Sequence, residues 1–168
     1  RLLSLRQSIV SSIMNRRFQN YVEDHSAGPL LSGGVYFSGR YGVDQVSIHV
    51  SPKPGKIHEA IPVLEQELRR MREFGPSQQE LDIAIKGILA ALKQSVASKA
   101  NRRNKDLATA LYSSVKNESV FQTPEQASDL TKALLKKINL SELKECIDQS
   151  FTKGHHFLGL FGRDTLGD

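Results

Sequence analysis

The sequence predicts an α+β fold, a small antiparallel sheet packed against a layer of helices. Two patterns carry this reading. An alternating run at 43–50 follows an apolar, glycine-bearing run at 30–37, so the two strands are neighbours along the chain. Stretches with apolar residues at three-and-four spacing then follow one another. Strands that pair locally, with helices clustered after them, argue against a doubly wound sheet.

Residues 2–23 read as an amphipathic helix carrying Leu2, Leu5, Ile9, Ile13, Met14, Phe18 and Tyr21, with Arg16 and Arg17 on or near its other face. Ser26-Ala27-Gly28-Pro29 breaks it. Residues 30–37 and 43–50 form a hairpin, with Ser38-Gly39-Arg40-Tyr41-Gly42 as its turn. Val46, Ile48 and Val50 share one side of the second strand, and Gln45, Ser47 and His49 the other, as in a half-buried strand. A helix over 56–74 stops at Gly75. Ser77 and Glu80 then form a capping box for a helix over 78–98, which should bury Leu81, Ala84, Ile85, Ile88, Leu89, Leu92 and Val96. The basic stretch Lys99–Lys105 is a hinge or a helix continuation, and Leu107, Ala108, Leu111 and Val115 resume a helical stripe. Thr123, Pro124 and Gln126 start a helix that runs to Lys137. Ser141 caps a last helix to Ser150, with Leu143, Ile147 and Phe151 inward. Residues 156–161 read as a final, third strand.

The chain has 168 residues, 39% of them apolar, which suits a single domain over 1–168 with a sizeable core. Charged residues make up 24% with the signs mixed, so the composition is not that of a disordered chain. Cys146 stands alone and excludes an intramolecular disulfide framework or a multi-cysteine metal site. No apolar run approaches the roughly 18 residues of a membrane span, and the first residues show no signal pattern. The chain begins Arg1-Leu2-Leu3 without Met, so a fragment of a longer chain is expected, with a further strand upstream.

The residues contain no self-contained active site. His58-Glu59 is not followed by a second His one helical turn on, and the inverted His-x-x-Glu-His spacing is absent. His155 and His156 are adjacent; on a strand their rings point to opposite faces and do not share an ion. Gly34 to Tyr41 has the glycine spacing of a phosphate loop, but lacks the Lys-Ser/Thr pair and sits in a hairpin. Cys146 has no activating neighbours and reads as a buried structural thiol. The net charge of +5 and the run Lys99–Lys105 suggest a basic nucleic-acid-binding module, but no recognition motif accompanies them, and a solvated helix face is the simpler reading.

The order of these pieces resembles the insulinase and pitrilysin family of zinc metallopeptidases, which includes the mitochondrial processing peptidases. The resemblance runs over roughly residues 2–162. It rests first on Ile61 to Leu81, a helix ending in Leu68-Arg69-Arg70-Met71-Arg72-Glu73-Phe74-Gly75, a polar cap, and Glu80-Leu81 opening the next helix. Upstream, Asn15-Arg16-Arg17-Phe18, then Gly28-Pro29-Leu30-Leu31-Ser32-Gly33-Gly34, the hairpin, and Pro54-Gly55-Lys56 with Glu59-Ala60 also fit.

The resemblance implies a LuxS/metallohydrolase-like α+β domain, here a truncated repeat, most like the second, non-catalytic domain of such a chain. It implies no catalytic residue and no metal ligand in this segment, with zinc on the catalytic domain of the parent. The implied partners are that catalytic domain and a peptide substrate. In insulin-degrading members the matching strand start docks a substrate N-terminus by strand addition, which maps here to Leu31, Ser32, Gly33 and Gly34. Glycines at a bulge also serve simply to relieve crowding. The family's substrate-clamping Arg with a downstream Gly-x-x-Tyr is not matched, because Arg16 and Arg17 are followed by no such pair. A periplasmic location is expected from the resemblance alone. A face that packs on the parent should be apolar and exposed, and a crystal dimer through it would be a substitute contact. The alternative on the same fold is a structural or assembly subunit without peptidase activity.

Overall fold

The structure is a computed structural model that describes residues 1–40, 43–152, 155 and 157–159. It divides into two compact units, Arg1–Leu81 with the chain from Asn139 onward, and Asp82–Ile138.

The first unit is α+β. Helix α1 (Leu2–Asp24) precedes strands β1 (Leu30–Arg40) and β2 (Val43–Pro52), then helix α2 (Ile57–Phe74) and the first turn of α3 (Gln78–Ala97). Helix α6 (Leu140–Thr152) returns to this unit. Helix α1 lies against β1 and α6, while α2 and α6 lie against β2 and each other. The expected apolar face of α1 is the centre of the core: Ile9, Val10, Ile13, Met14 and Phe18 are buried. Leu30, Val35, Met71, Leu143, Ile147 and Phe151 complete it. Phe37 meets Phe151 edge to face, with ring centres 6.2 Å apart.

The hairpin is antiparallel, with Val35 opposite Ile48 and Phe37 opposite Val46, and the register slips between Leu30 and Ser32. Strand β1 continues through Ser38-Gly39-Arg40, three of the residues expected in the turn; Tyr41 and Gly42 lie outside the described residues. Among the described residues the sheet has two strands. Of the expected third strand, Phe157, Leu158 and Gly159 carry no regular structure, and Phe157 is almost fully exposed; among the described residues no strand pairs with them. His156, Leu160 and Phe161 lie outside the described residues.

Gly75 ends α2 at φ 69°, a conformation that favours glycine. The Ser77–Glu80 capping box is formed: the Glu80 N–H donates to Ser77 Oγ at 3.2 Å and the Ser77 N–H to Glu80 Oε2 at 2.7 Å. Helix α6 starts at Leu140, one residue before the expected cap Ser141. Asn139 takes that role, its Oδ1 accepting the Glu142 N–H at 3.0 Å.

The second unit holds the rest of α3, a short 3-10 turn at Lys99–Asn101, α4 (Asn104–Lys116) and α5 (Pro124–Leu135). Thr123 and Gln126 close a reciprocal capping box on α5. Of the expected α3 stripe Leu81 and Ala84 are buried, Ile85, Ile88, Leu92 and Val96 are half-buried, and Leu89 is exposed. In α4 the residue that is buried is Ser114, whereas Leu111 and Val115 are 53% and 72% exposed. Apolar periodicity marks the face that needs cover, and here this unit does not supply the cover. The whole net charge of +5 falls in this unit, the first being balanced.

Candidate functional site

The site begins where α1 meets β1. The Asn15 side chain accepts the Val35 N–H at 2.6 Å, and the Ser11 hydroxyl donates to the Val35 carbonyl at 2.5 Å. Both main-chain groups of Val35 therefore turn away from β2. In an antiparallel pair this alternates along the strand, so Gly33, Phe37 and Gly39 present their N–H and C=O groups on the same outer edge. Gly34, Tyr36 and Ser38 turn theirs toward β2.

The sequence pointed to the start of this strand. Leu31 and Ser32 are exposed there, and the two glycines are tightly packed. A Cβ on Gly33 would lie 2.8 Å from the Phe18 ring, and one on Gly34 would lie 2.9 Å from the His49 ring and 3.1 Å from Asn15 Oδ1. Close approach of α1 and of the cross-strand histidine accounts for both glycines. Of the four residues, Leu31 and Ser32 leave a side chain open to a ligand.

An open groove of about 1120 Å³ lies beside the same edge, further along. One wall is α1, with Ser4, Ser8, Ser12, Arg16 and Gln19; the other is β1 at Tyr36, Phe37, Ser38 and Gly39. Phe18 lies on Gly33 and Asn15 and Ser11 on Val35, so α1 runs opposite to β1 and its first turns face Phe37 and Gly39. The lining is mostly hydroxyl and amide groups; Arg16, Glu23 and Asp44 carry its charges. Sequence reasoning missed this wall. The signal was present as Ser4, Ser8, Ser11, Ser12 and Asn15, small polar residues recurring on one side of a helix whose other side is apolar.

Arg17, expected near the outer face, is instead 15% exposed and anchors α1. Its Nε donates to Glu80 Oε1 at 2.6 Å, and its Nη2 to Glu80 Oε2 at 2.9 Å and to the Gly75 carbonyl at 3.1 Å. Burial works to raise the Glu80 carboxyl, but the Arg17 bonds, the Ser77 bonds and the Arg17 charge outweigh it and hold Glu80 at about 2. The bond to Glu80 in turn raises Arg17.

No group of three or more His, Cys, Asp or Glu side chains comes together among the described residues. His58 and His155 are exposed and stand apart, and His156 lies outside the described residues. The described residues therefore do not fit a zinc site. Cys146 is buried, and burial pushes its thiol up. No helix is long and apolar enough to cross a membrane.

No family model matches the chain. It is 30% identical over 142 residues to the probable zinc protease PqqL of Escherichia coli, a match that takes in 82% of this chain and 15% of that protein. A crystal structure of the periplasmic protease PqqL from Escherichia coli superposes at a TM-score of 0.80 and 26% identity, over 87% of this chain and 16% of that one. The first half of PqqL, solved separately, gives a TM-score of 0.80 and 25% identity over 88% of this chain and 32% of that one. A predicted insulinase family protease from Yersinia pestis shares the fold at a TM-score of 0.72 and 22% identity, over 87% of this chain and 32% of that one. The chain thus spans about 15% of the length of the curated relative it matches.

Proposed function

Because this chain is a homologue of part of an insulinase-family zinc protease, we propose that it is a non-catalytic domain of such an enzyme. In this reading it forms part of the wall of the substrate chamber and supports peptide binding. The observation that carries the proposal is the match to PqqL over 82% of the chain, joined to the shared fold. The match to an isolated first half of PqqL supports a place beside a catalytic domain. Zinc-activated water would attack the peptide bond on that other domain. The periplasmic relatives support a periplasmic location for this chain too. Helix α4, with its exposed Leu111, Tyr112 and Val115, supplies an apolar face of the kind a neighbouring domain covers.

The test is metal analysis of this chain and of the longer polypeptide that contains it, with peptide hydrolysis assayed on both. Zinc and chelator-sensitive cleavage in the longer polypeptide alone support the proposal. A well-folded longer polypeptide without either points to a structural subunit on the same fold. Stoichiometric zinc on this chain contradicts the proposal.

A further inference from the structure

We infer that α4 is a docking surface for an acidic protein face, one with an apolar centre and a rim of carboxylates. The inference rests on the reading that a neighbouring domain covers this helix, and it names the chemistry that domain must offer.

Around the axis of α4 the side chains change character in order. Ser114 is buried, and Leu107 and Ala110 beside it are half-buried. Leu111 and Val115 come next, then Tyr112; all three are exposed. Lys105, seven residues before Tyr112, and Lys116, four after it, stack with it along one line and bound the apolar band. Both lysines are exposed, and among the described residues neither pairs with a carboxylate; Asp106, on the same helix, is taken by Arg103. The Ser119 N–H donates to the Ser114 carbonyl at 2.8 Å and the Glu118 N–H to the Val115 carbonyl at 3.2 Å, with Glu118 at φ 49°. This corner turns the chain back at the end of α4, and Val120 just past it is exposed as well.

Charge selects the occupant. The whole net charge of +5 lies in this unit, so a second copy of the chain would bring like charge to the same face. Leu111 and Val115 offer neither a stacking plane to a nucleic-acid base nor a donor to a phosphate. A protein face with Asp or Glu at its rim pairs Lys105 and Lys116, while its apolar centre takes Leu111, Tyr112 and Val115 out of water.

The test is hydrogen exchange of the α4 amides, read by mass spectrometry on this chain and on the longer polypeptide that contains it. The readout is the ratio of the two rates for the same variant, so a local effect of a substitution on the helix cancels. In the native sequence α4 should exchange at least about tenfold more slowly in the longer polypeptide. Lys105→Glu with Lys116→Glu should bring the ratio toward one, and raised salt should move it the same way. Lys136→Glu with Lys137→Glu, the same charge change outside α4, should leave it in place. The buried α1 amides, exchanging alike in every variant, report that each is folded. A slowed α4 that ignores the Lys105 and Lys116 reversal overturns the acidic partner and leaves the neighbouring-domain reading standing. An α4 that exchanges alike in chain and longer polypeptide overturns the docking surface; the wider reading fails separately, on zinc and cleavage in the same polypeptide. Cosedimentation of this chain with phosphatidylglycerol vesicles, lost on the Lys105 and Lys116 reversal, overturns the protein partner in favour of an anionic bilayer.

Discussion

Arg17 and Glu80, 63 residues apart, form a two-pronged ion pair that ties α1 to the corner between α2 and α3. The same carboxylate accepts the Ser77 N–H that closes the α3 capping box, and the same guanidinium bonds the carbonyl of Gly75, where α2 stops. One pair thus joins α1 to a helix entry and a helix exit.

The pair makes stability sensitive to acid. Glu80 is held at about 2 in the fold against an ordinary 4.5. A carboxyl depressed by folding contributes stability above its unfolded value, and that contribution is lost as pH falls toward the folded one. The stability gap between the native chain and Glu80→Gln should be full above pH 4.5 and shrink as pH falls toward about 2. Urea unfolding across that range measures it; a gap constant down to pH 2 would show that the pair is not charged as described.

The start of α6 should answer to Asn139 and not to Ser141. Asn139→Ala removes the acceptor for the Glu142 N–H and should cost about 1 kcal/mol. Ser141→Ala, inside the first turn, should cost less than about 0.5 kcal/mol. Thermal unfolding of the two variants ranks them, and the reverse order would return the cap to Ser141.

Gly33 answers to Phe18. An added methyl meets the Phe18 ring at 2.8 Å, so Gly33→Ala should destabilise the chain by about 1–3 kcal/mol. Phe18→Leu in that background should cost less than it does in the native chain. Additive losses in the double variant would mean that the two positions do not share the space.

The exposed stripe of α4 should tolerate polar replacement. Leu111→Ser and Val115→Ser should each change stability by no more than about 0.5 kcal/mol, whereas Ile9→Ala in the core should cost about 2–5 kcal/mol. A large loss at Val115 in this chain would show that α4 is already covered.

Much of the fold was legible. Helices α1, α2 and α3 and the hairpin follow from periodicity, and Gly75, Ser77 with Glu80, and Thr123 with Gln126 fix their ends by local chemistry. Contacts that depend on distant partners were not legible. Arg17 reads as a surface residue until Glu80 folds against it, and Ser11 and Asn15 read as solvent face until β1 arrives. The α4 stripe misled in the opposite sense, because periodicity states a need for cover without naming what meets it. At the candidate site the sequence drew attention to the start of β1, by way of Gly33 and Gly34. The geometry accounts for those glycines by packing, Gly33 against Phe18 and Gly34 against His49 and Asn15.

The central claim is that this chain supports peptide cleavage without performing it. The most direct measurement is the chelator-sensitive cleavage rate of a fluorogenic peptide by the zinc-binding domain proposed to accompany it, with and without this chain. The account predicts no cleavage by this chain alone and a clear gain when it accompanies the zinc-binding domain. Cleavage by this chain alone, or a rate indifferent to its presence, would contradict it.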